Sequence, residues 1–317
     1  MTHNEPTSLS RAQGCLLGQL AGDALGSLVE FQTCEAIRLR YPKGVRDLED
    51  GGTWSTVAGQ PTDDSEMALL LARMLVELGR YDEYEAKRVY TYWLESDPFD
   101  CGKTVRAGLL GNPIMESQAN GALMRISPLG IFGSNHDLQD VAEWARTDAF
   151  ITHPHPVCGQ VNALFAMAIA HAIKSGCNSE TLYLRIKTWA EEMSVEESVA
   201  QVISKAVKSQ PSDFMKNQGW VLLAFQNALW QLLHAENLEE AIIDTVERGG
   251  DTDTNAAICG ALLGAVYGMS ALPKRWTTII LNCRPEQGRS GVLEPRPECF
   301  WPVDALELAR LLMELAK

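Results

Sequence analysis

The chain holds 317 residues, 46% of them apolar and 21% charged, a balance that excludes disorder over most of its length. A chain of this size buries enough surface to need neither a disulfide nor a metal for its core. Lys plus Arg number 27 against 41 Asp plus Glu, and the net charge of −14 argues against non-specific nucleic-acid binding and against an anionic membrane surface.

In chain order, residues 1–9 lack the charged-then-apolar layout of a signal segment and are expected to be flexible. Apolar periodicity then predicts helices over 10–30, 64–79, 82–95, 137–150, 157–175, 180–192, 195–209, 218–235, 237–247, 254–270 and 303–316. Strand-type alternation is nearly absent. Gly/Pro loops at 41–62, 96–130, 151–157 and 282–302 punctuate the helices without dividing them. The expectation is one compact all-α domain over 1–317, an orthogonal helical bundle. The uncharged stretch Ala256–Leu272 reads as a buried helix, since it is at the lower limit of membrane-spanning length and rich in Gly and Ala. The eight cysteines show no CxxC pair and no zinc spacing, so they read as reduced thiols of a cytoplasmic protein, taken to be a monomer.

Glycine falls at 14, 18, 22 and 26 in the first helix and at 260, 264 and 268 in a late one. Each interior Gly costs a helix about 1 kcal/mol relative to Ala. Residues four apart share a helix face, so two such stripes predict central helices in close backbone approach, against neighbours or each other.

Two acidic boxes stand at helix starts. Pro61-Thr62-Asp63-Asp64-Ser65-Glu66 precedes MALLLARML, and Arg248-Gly249-Gly250-Asp251-Thr252-Asp253-Thr254-Asn255 precedes AAICGALLGAVYG. Either alone reads as an N-cap, with Asp63 and Glu66 forming a capping box and the second helix beginning at Thr254. Two boxes of the same chemistry suggest a shared site. Four carboxylates with hydroxyls suit Mg²⁺, Mn²⁺ or Ca²⁺ rather than zinc, and a two-metal centre would relieve their repulsion and activate a water. Asp23 and Glu30 lie seven apart, on nearly one face of the first predicted helix. The loop Phe99–Arg106 offers Asp100 and Gly102. Asn120–Arg125 forms a turn whose amides can cradle an anion, and Thr152-His153-Pro154-His155-Pro156 places two imidazoles on a rigid loop.

GCLLGQLAGDALGSLVEF, GQPTDDSEMALLLA, NGALMRISPLGIF, THPHPVCGQVNALF and RGGDTDTNAAICGALLGAVYG follow one another in that order. The pattern resembles the ADP-ribosylglycohydrolase family, above all its bacterial branch of dinitrogenase-reductase-activating and ADP-ribosylarginine hydrolases, over residues 10 to 270; residues 275–317 are less diagnostic. The resemblance implies an all-α domain with a binuclear Mg²⁺ or Mn²⁺ centre at helix N-termini. It assigns Thr62, Asp63, Asp64, Asp251, Asp253 and Thr254 as metal ligands, and Glu30 and Asp100 as catalytic acids. It implies substrate contacts at Gly102, Asn120, Gly121, Met124, Arg125 and His153. The implied partner is an ADP-ribosylated protein and the product ADP-ribose. Other linkages (serine, O-acetyl-ADP-ribose, nucleic acid), reversal of a toxin's modification, and a non-catalytic ADP-ribose-binding module remain open at this point.

Overall fold

The computed structural model describes residues 5–315 and is built of helices, with no strand among the described residues. In order they are α1 (Ser8–Gly26), α2 (Cys34–Arg40), α3 (Asp63–Leu78), α4 (Glu83–Glu95), α5 (Lys103–Leu109), α6 (Ser127–Phe132), α7 (Leu138–Phe150), α8 (Pro156–Ser175), α9 (Ser179–Glu192), α10 (Glu197–Lys205), α11 (Val221–His234), α12 (Leu238–Glu247), α13 (Thr252–Tyr267), α14 (Lys274–Asn282) and α15 (Ala305–Glu314). The expected flexible start falls partly outside the described residues, which exclude 1–4. Within the rest, the Thr7 hydroxyl caps Ser10 N at 3.1 Å, and Ser8 and Leu9 are helical.

The glycine stripes meet each other. A side chain at Gly14 would strike the Gly264 and Gly268 backbone, one at Gly18 the Gly260 carbonyl, and one at Gly22 the Ala256 carbonyl. At Gly26 it would lie 2.4 Å from the Asp253 backbone. Low glycine numbers pair with high α13 numbers, so α1 and α13 run antiparallel with their backbones in contact. This seam carries the end of α1 to the beginning of α13. Helices α8, α11 and α12 pack around α13, while α15 and α3 close over α1.

The uncharged segment is buried from Ala256 to Val266; α13 ends at the half-buried Tyr267, and the rest of the segment expected to be a buried helix leaves it, with Ser270 exposed. Helix α8 is the one described helix long and apolar enough to span a membrane, and most of it lies inside the protein. All eight cysteines are free thiols.

Candidate active site

The seam ends at the second acidic box. Gly249 and Gly250 both adopt left-handed φ, near 78° and 77°, and turn the chain from α12 into α13. A side chain at Gly250 would lie 2.7 Å from the Phe214 carbonyl. Helix α13 starts at Thr252, two residues before the expected Thr254, and its N-cap residue Asp251 makes no side-chain capping bond. The carboxylate is turned outward, where Asn120 Nδ2 donates to its Oδ2 at 2.7 Å.

The first box is freed from capping in a different way. Thr62 is the N-cap residue of α3, yet it makes no side-chain capping bond. Asp23 does the capping from α1: its carboxylate accepts from Thr62 N and Ser65 N, both at 3.2 Å, and from the Thr62 hydroxyl at 2.9 Å. The expected capping box of Asp63 and Glu66 is therefore not formed. Glu66 instead accepts two bonds from Arg296 and one from Trp93 Nε1. Arg296 also donates to the Ser96 carbonyl and hydroxyl, tying down the loop that carries Asp100. Nor do Asp23 and Glu30 share a helix face, because α1 ends at Gly26. Glu30 lies in the following turn, buried, with its Oε2 accepting from Trp54 Nε1 at 2.6 Å.

Both boxes face one cavity of about 490 Å³. Glu30, Asp63, Asp100, Asp251 and Thr254 line it beside Gly102, Asn120, Gly121, Met124 and His153. Thr62, Asp64 and Asp253 are buried next to these lining residues. Oxygens of Glu30, Asp251 and Asp253 lie within 4.8 Å of one another. Arg125 is the exception among the expected substrate contacts. Its guanidinium is wholly buried and salt-bridged to Asp148 at 3.1 Å, because a lone charge in that interior needs a partner. His155 is likewise turned away, capping α8 through Nδ1.

The wall also holds residues that carried no sequence signal. Phe31, half exposed and left-handed at φ 63°, packs edge-on to Trp54 with ring centroids 6.4 Å apart. Lone aromatics announce no role in a sequence; only the fold brings them to the rim. Gln218 and Gly219 arrive from the loop before α11, pinned by Asn120 N donating to the Gly219 carbonyl at 2.9 Å.

Burial and mutual repulsion shape the electrostatics. Burial, followed by the charge of Asp251, pushes Glu30 up to about 8. Burial and then Asp23 push Asp63 up to about 7. Burial, then Asp63 and Glu30, push Asp100 up to about 10. Asp64 and Asp253 are driven well above the ordinary carboxylate range by burial, then by Asp23 and Glu30 respectively. Buried carboxylates at this density need positive charge. Asp64 Oδ1 and Asp253 Oδ2 are buried without a hydrogen-bond partner. An all-oxygen donor set with orphaned oxygens fits a hard divalent cation.

An all-helical body with a carboxylate-floored cavity suited to such a cation defines the class. The profile of the ADP-ribosylglycohydrolase family matches residues 4–303, and the chain belongs to that metal-dependent family, whose members act on ADP-ribosylated substrates. The match reaches beyond the segment that looked diagnostic in the sequence and takes in Arg296. The chain is 31% identical over 287 residues to the ADP-ribosyl-[dinitrogen reductase] glycohydrolase of Rhodospirillum rubrum, covering 86% of this chain and 90% of that protein. It is 28% identical over 288 residues to the ADP-ribosylarginine hydrolase Tri1 of Pseudomonas putida (strain GB-1), covering 85% and 74%. A solved ADP-ribosylglycohydrolase-related protein complex matches with a TM-score of 0.80 at 25% identity, over 98% of this chain and 99% of that one.

Proposed function

We propose that this protein hydrolyses the N-glycosidic bond joining ADP-ribose to a modified arginine side chain, with two divalent cations, Mg²⁺ or Mn²⁺, as cofactors. The observation that carries the reading is the convergence of both acidic boxes on one cavity, each box released from capping its own helix. Asp63, Asp64, Asp251 and Asp253 supply anionic oxygens, and Thr62 and Thr254 supply neutral ones. When bound, the cations supply Lewis acidity and lower the pKa of water. Glu30 and Asp100 hold protons at neutral pH while the cluster is uncompensated. Positive charge beside them lowers their proton affinity, so that each can take a proton from water or return one to the departing guanidine nitrogen. Asn120 orients Asp251 through its amide. Gly102 does the same for Asp63, its backbone N–H lying 3.4 Å from Oδ2. Gly121 and Met124 shape the wall: a side chain at Gly121 would lie 2.8 Å from Val105 Cγ2 and close the slot beside His153.

The arginine linkage is supported by the activity for which the Pseudomonas relative is named and by the acidic, aromatic surroundings of Glu30, which suit a cationic guanidinium. We further assign the activity to a single domain acting as a monomer, and to a reducing, cytoplasmic setting, the last supported by eight unpaired thiols.

A panel of arginine-, serine- and nucleic-acid-linked ADP-ribose conjugates, incubated with Mg²⁺ or Mn²⁺, tests the reading. Release from arginine is the expected result. Release from serine alone overturns the linkage. Retention of ADP-ribose without turnover of any conjugate makes the protein a binding module.

A further inference from the structure

We infer that a buried relay, Asp148–Arg125–Thr152, fixes His153 as an imidazole whose Nε2–H is offered into the cavity. On the function proposed above, its partner is a phosphoryl oxygen of the ADP-ribose diphosphate. Arg125, which the sequence suggests as a ligand contact, is thereby a positioning residue that acts from behind the wall.

The direction of each bond is set by what its atoms can do. A guanidinium only donates. Arg125 Nε donates to Asp148 Oδ1 at 3.1 Å and NH2 to the Asp148 carbonyl at 2.9 Å. NH1 donates to the Gly121 carbonyl at 3.2 Å and to Thr152 Oγ1 at 2.9 Å. The other Asp148 oxygen accepts from Tyr90 at 3.0 Å, and the Tyr90 ring lies 4.4 Å from the guanidinium carbon, so the anchor cannot swing. Thr152 Oγ1 has one proton to place and two neighbours within reach. Arg125 cannot accept it, so it goes to His153 Nδ1, 2.8 Å away. An imidazole whose Nδ1 accepts carries its single proton on Nε2. Burial and then the Arg125 charge hold His153 neutral, its proton affinity lowered to about 3.

His153 Nε2 is buried and has no partner. It lies 3.3 Å from the point where a side chain at Gly121 would begin, and His153 is part of the cavity lining. A buried donor without a partner costs stability unless something accepts from it. The partner must therefore be an acceptor, and a phosphoryl oxygen is a strong one. The neutral ring also gives the anion a donor without drawing the neighbouring carboxylates onto itself, as an imidazolium would.

Long-range ¹H–¹⁵N spectra of the ligand-free, ¹⁵N-labelled protein read the tautomer directly, with His153→Gln identifying the resonance. The expected result is an unprotonated Nδ1 and a protonated Nε2; a protonated Nδ1 overturns the relay whatever the enzyme's substrate. On titration with ADP the Nε2–H proton should move downfield and become protected from exchange. A proton that does not respond to bound ADP overturns the assignment of its partner. Thr152→Ser should preserve both spectrum and affinity. Thr152→Val should disturb the two nitrogen shifts and weaken ADP binding about tenfold, the worth of one charge-assisted hydrogen bond. Unchanged shifts or affinity in Thr152→Val overturn the relay. If that variant does not fold, the wild-type spectrum and its ADP response still decide. Because the tautomer is read without substrate, its failure is distinct from a failure of the conjugate panel.

Discussion

At the scale of single residues, the site rests on a division of labour between acids that look alike in the sequence. Asp23 satisfies the start of α3 so that Asp63 and Asp64 need not. Asp23→Ala should leave Thr62 N and Ser65 N unpaired and cost roughly 1–3 kcal/mol, with Asp23→Asn in between, as denaturant melts would show. Asp63→Asn and Asp253→Asn should leave the fold intact. Metal affinity and ADP-ribose release should fall together by more than about 100-fold, since even outer-shell partners are worth roughly 10–100-fold. Calorimetry and a release assay check this, and full activity in both variants would remove the basis for a metal site. The acids of the two boxes were legible by type and spacing, whereas Glu30 and Asp100 drew their roles from the family resemblance, and the helix face expected for Glu30 does not exist. The function of Asp23 was not legible, because a cap supplied from a distant helix leaves no local signature.

At the scale of elements, the long helices announced themselves by period and by their acidic or hydroxyl starts, to within a few residues of the observed ends. Helices α2, α5, α6 and α14 did not. Helix α6, SPLGIF, is buried on every side and has no polar face to set a period. Helix α14 carries the β-branched run TTII, which weakens a helical signal, and it buries only Trp276 and Ile280. The glycine stripes were the most informative feature, because only close approach justifies their cost. They also make a sharp prediction. Alanine at Gly18 or Gly264 would ordinarily gain a helix about 1 kcal/mol. Here its methyl group meets a backbone carbonyl that cannot rotate away. Gly18→Ala and Gly264→Ala should therefore destabilise by roughly 1–3 kcal/mol in thermal melts, the reverse of the propensity scale.

At the scale of the whole molecule, part of the acidic surplus is gathered where it is least comfortable. Asp23, Asp63 and Glu30 stand at about 6, 7 and 8, each above its ordinary value. A carboxyl with a raised folded-state pKa contributes its stability below the unfolded pKa, near 4, and loses it as pH rises through the folded one. In EDTA the melting temperature should accordingly fall from about pH 4 to pH 8. Saturating Mg²⁺ or Mn²⁺ should flatten that slope and raise the melting temperature most at the alkaline end, as a ligand that binds only the folded state must. A metal-free protein equally stable across this range would show that the cluster is neutralised by something else.

The glycine seam has a consequence for tolerance as well as for packing. Carbonyls of one helix are seated in notches of the other, and no side chain lies between them to yield. Two such surfaces are indexed like meshed teeth: sliding α1 along α13 by a fraction of a turn would drive carbonyl into carbon. The next glycine notch is four residues away, about 6 Å. The acids contributed by α13 and by the turn after α1 thus cannot drift by the tenths of an ångström that flexible rotamers would permit. Side chains at the rim have no such seat, but the pitch at the cavity floor changes by whole notches or not at all.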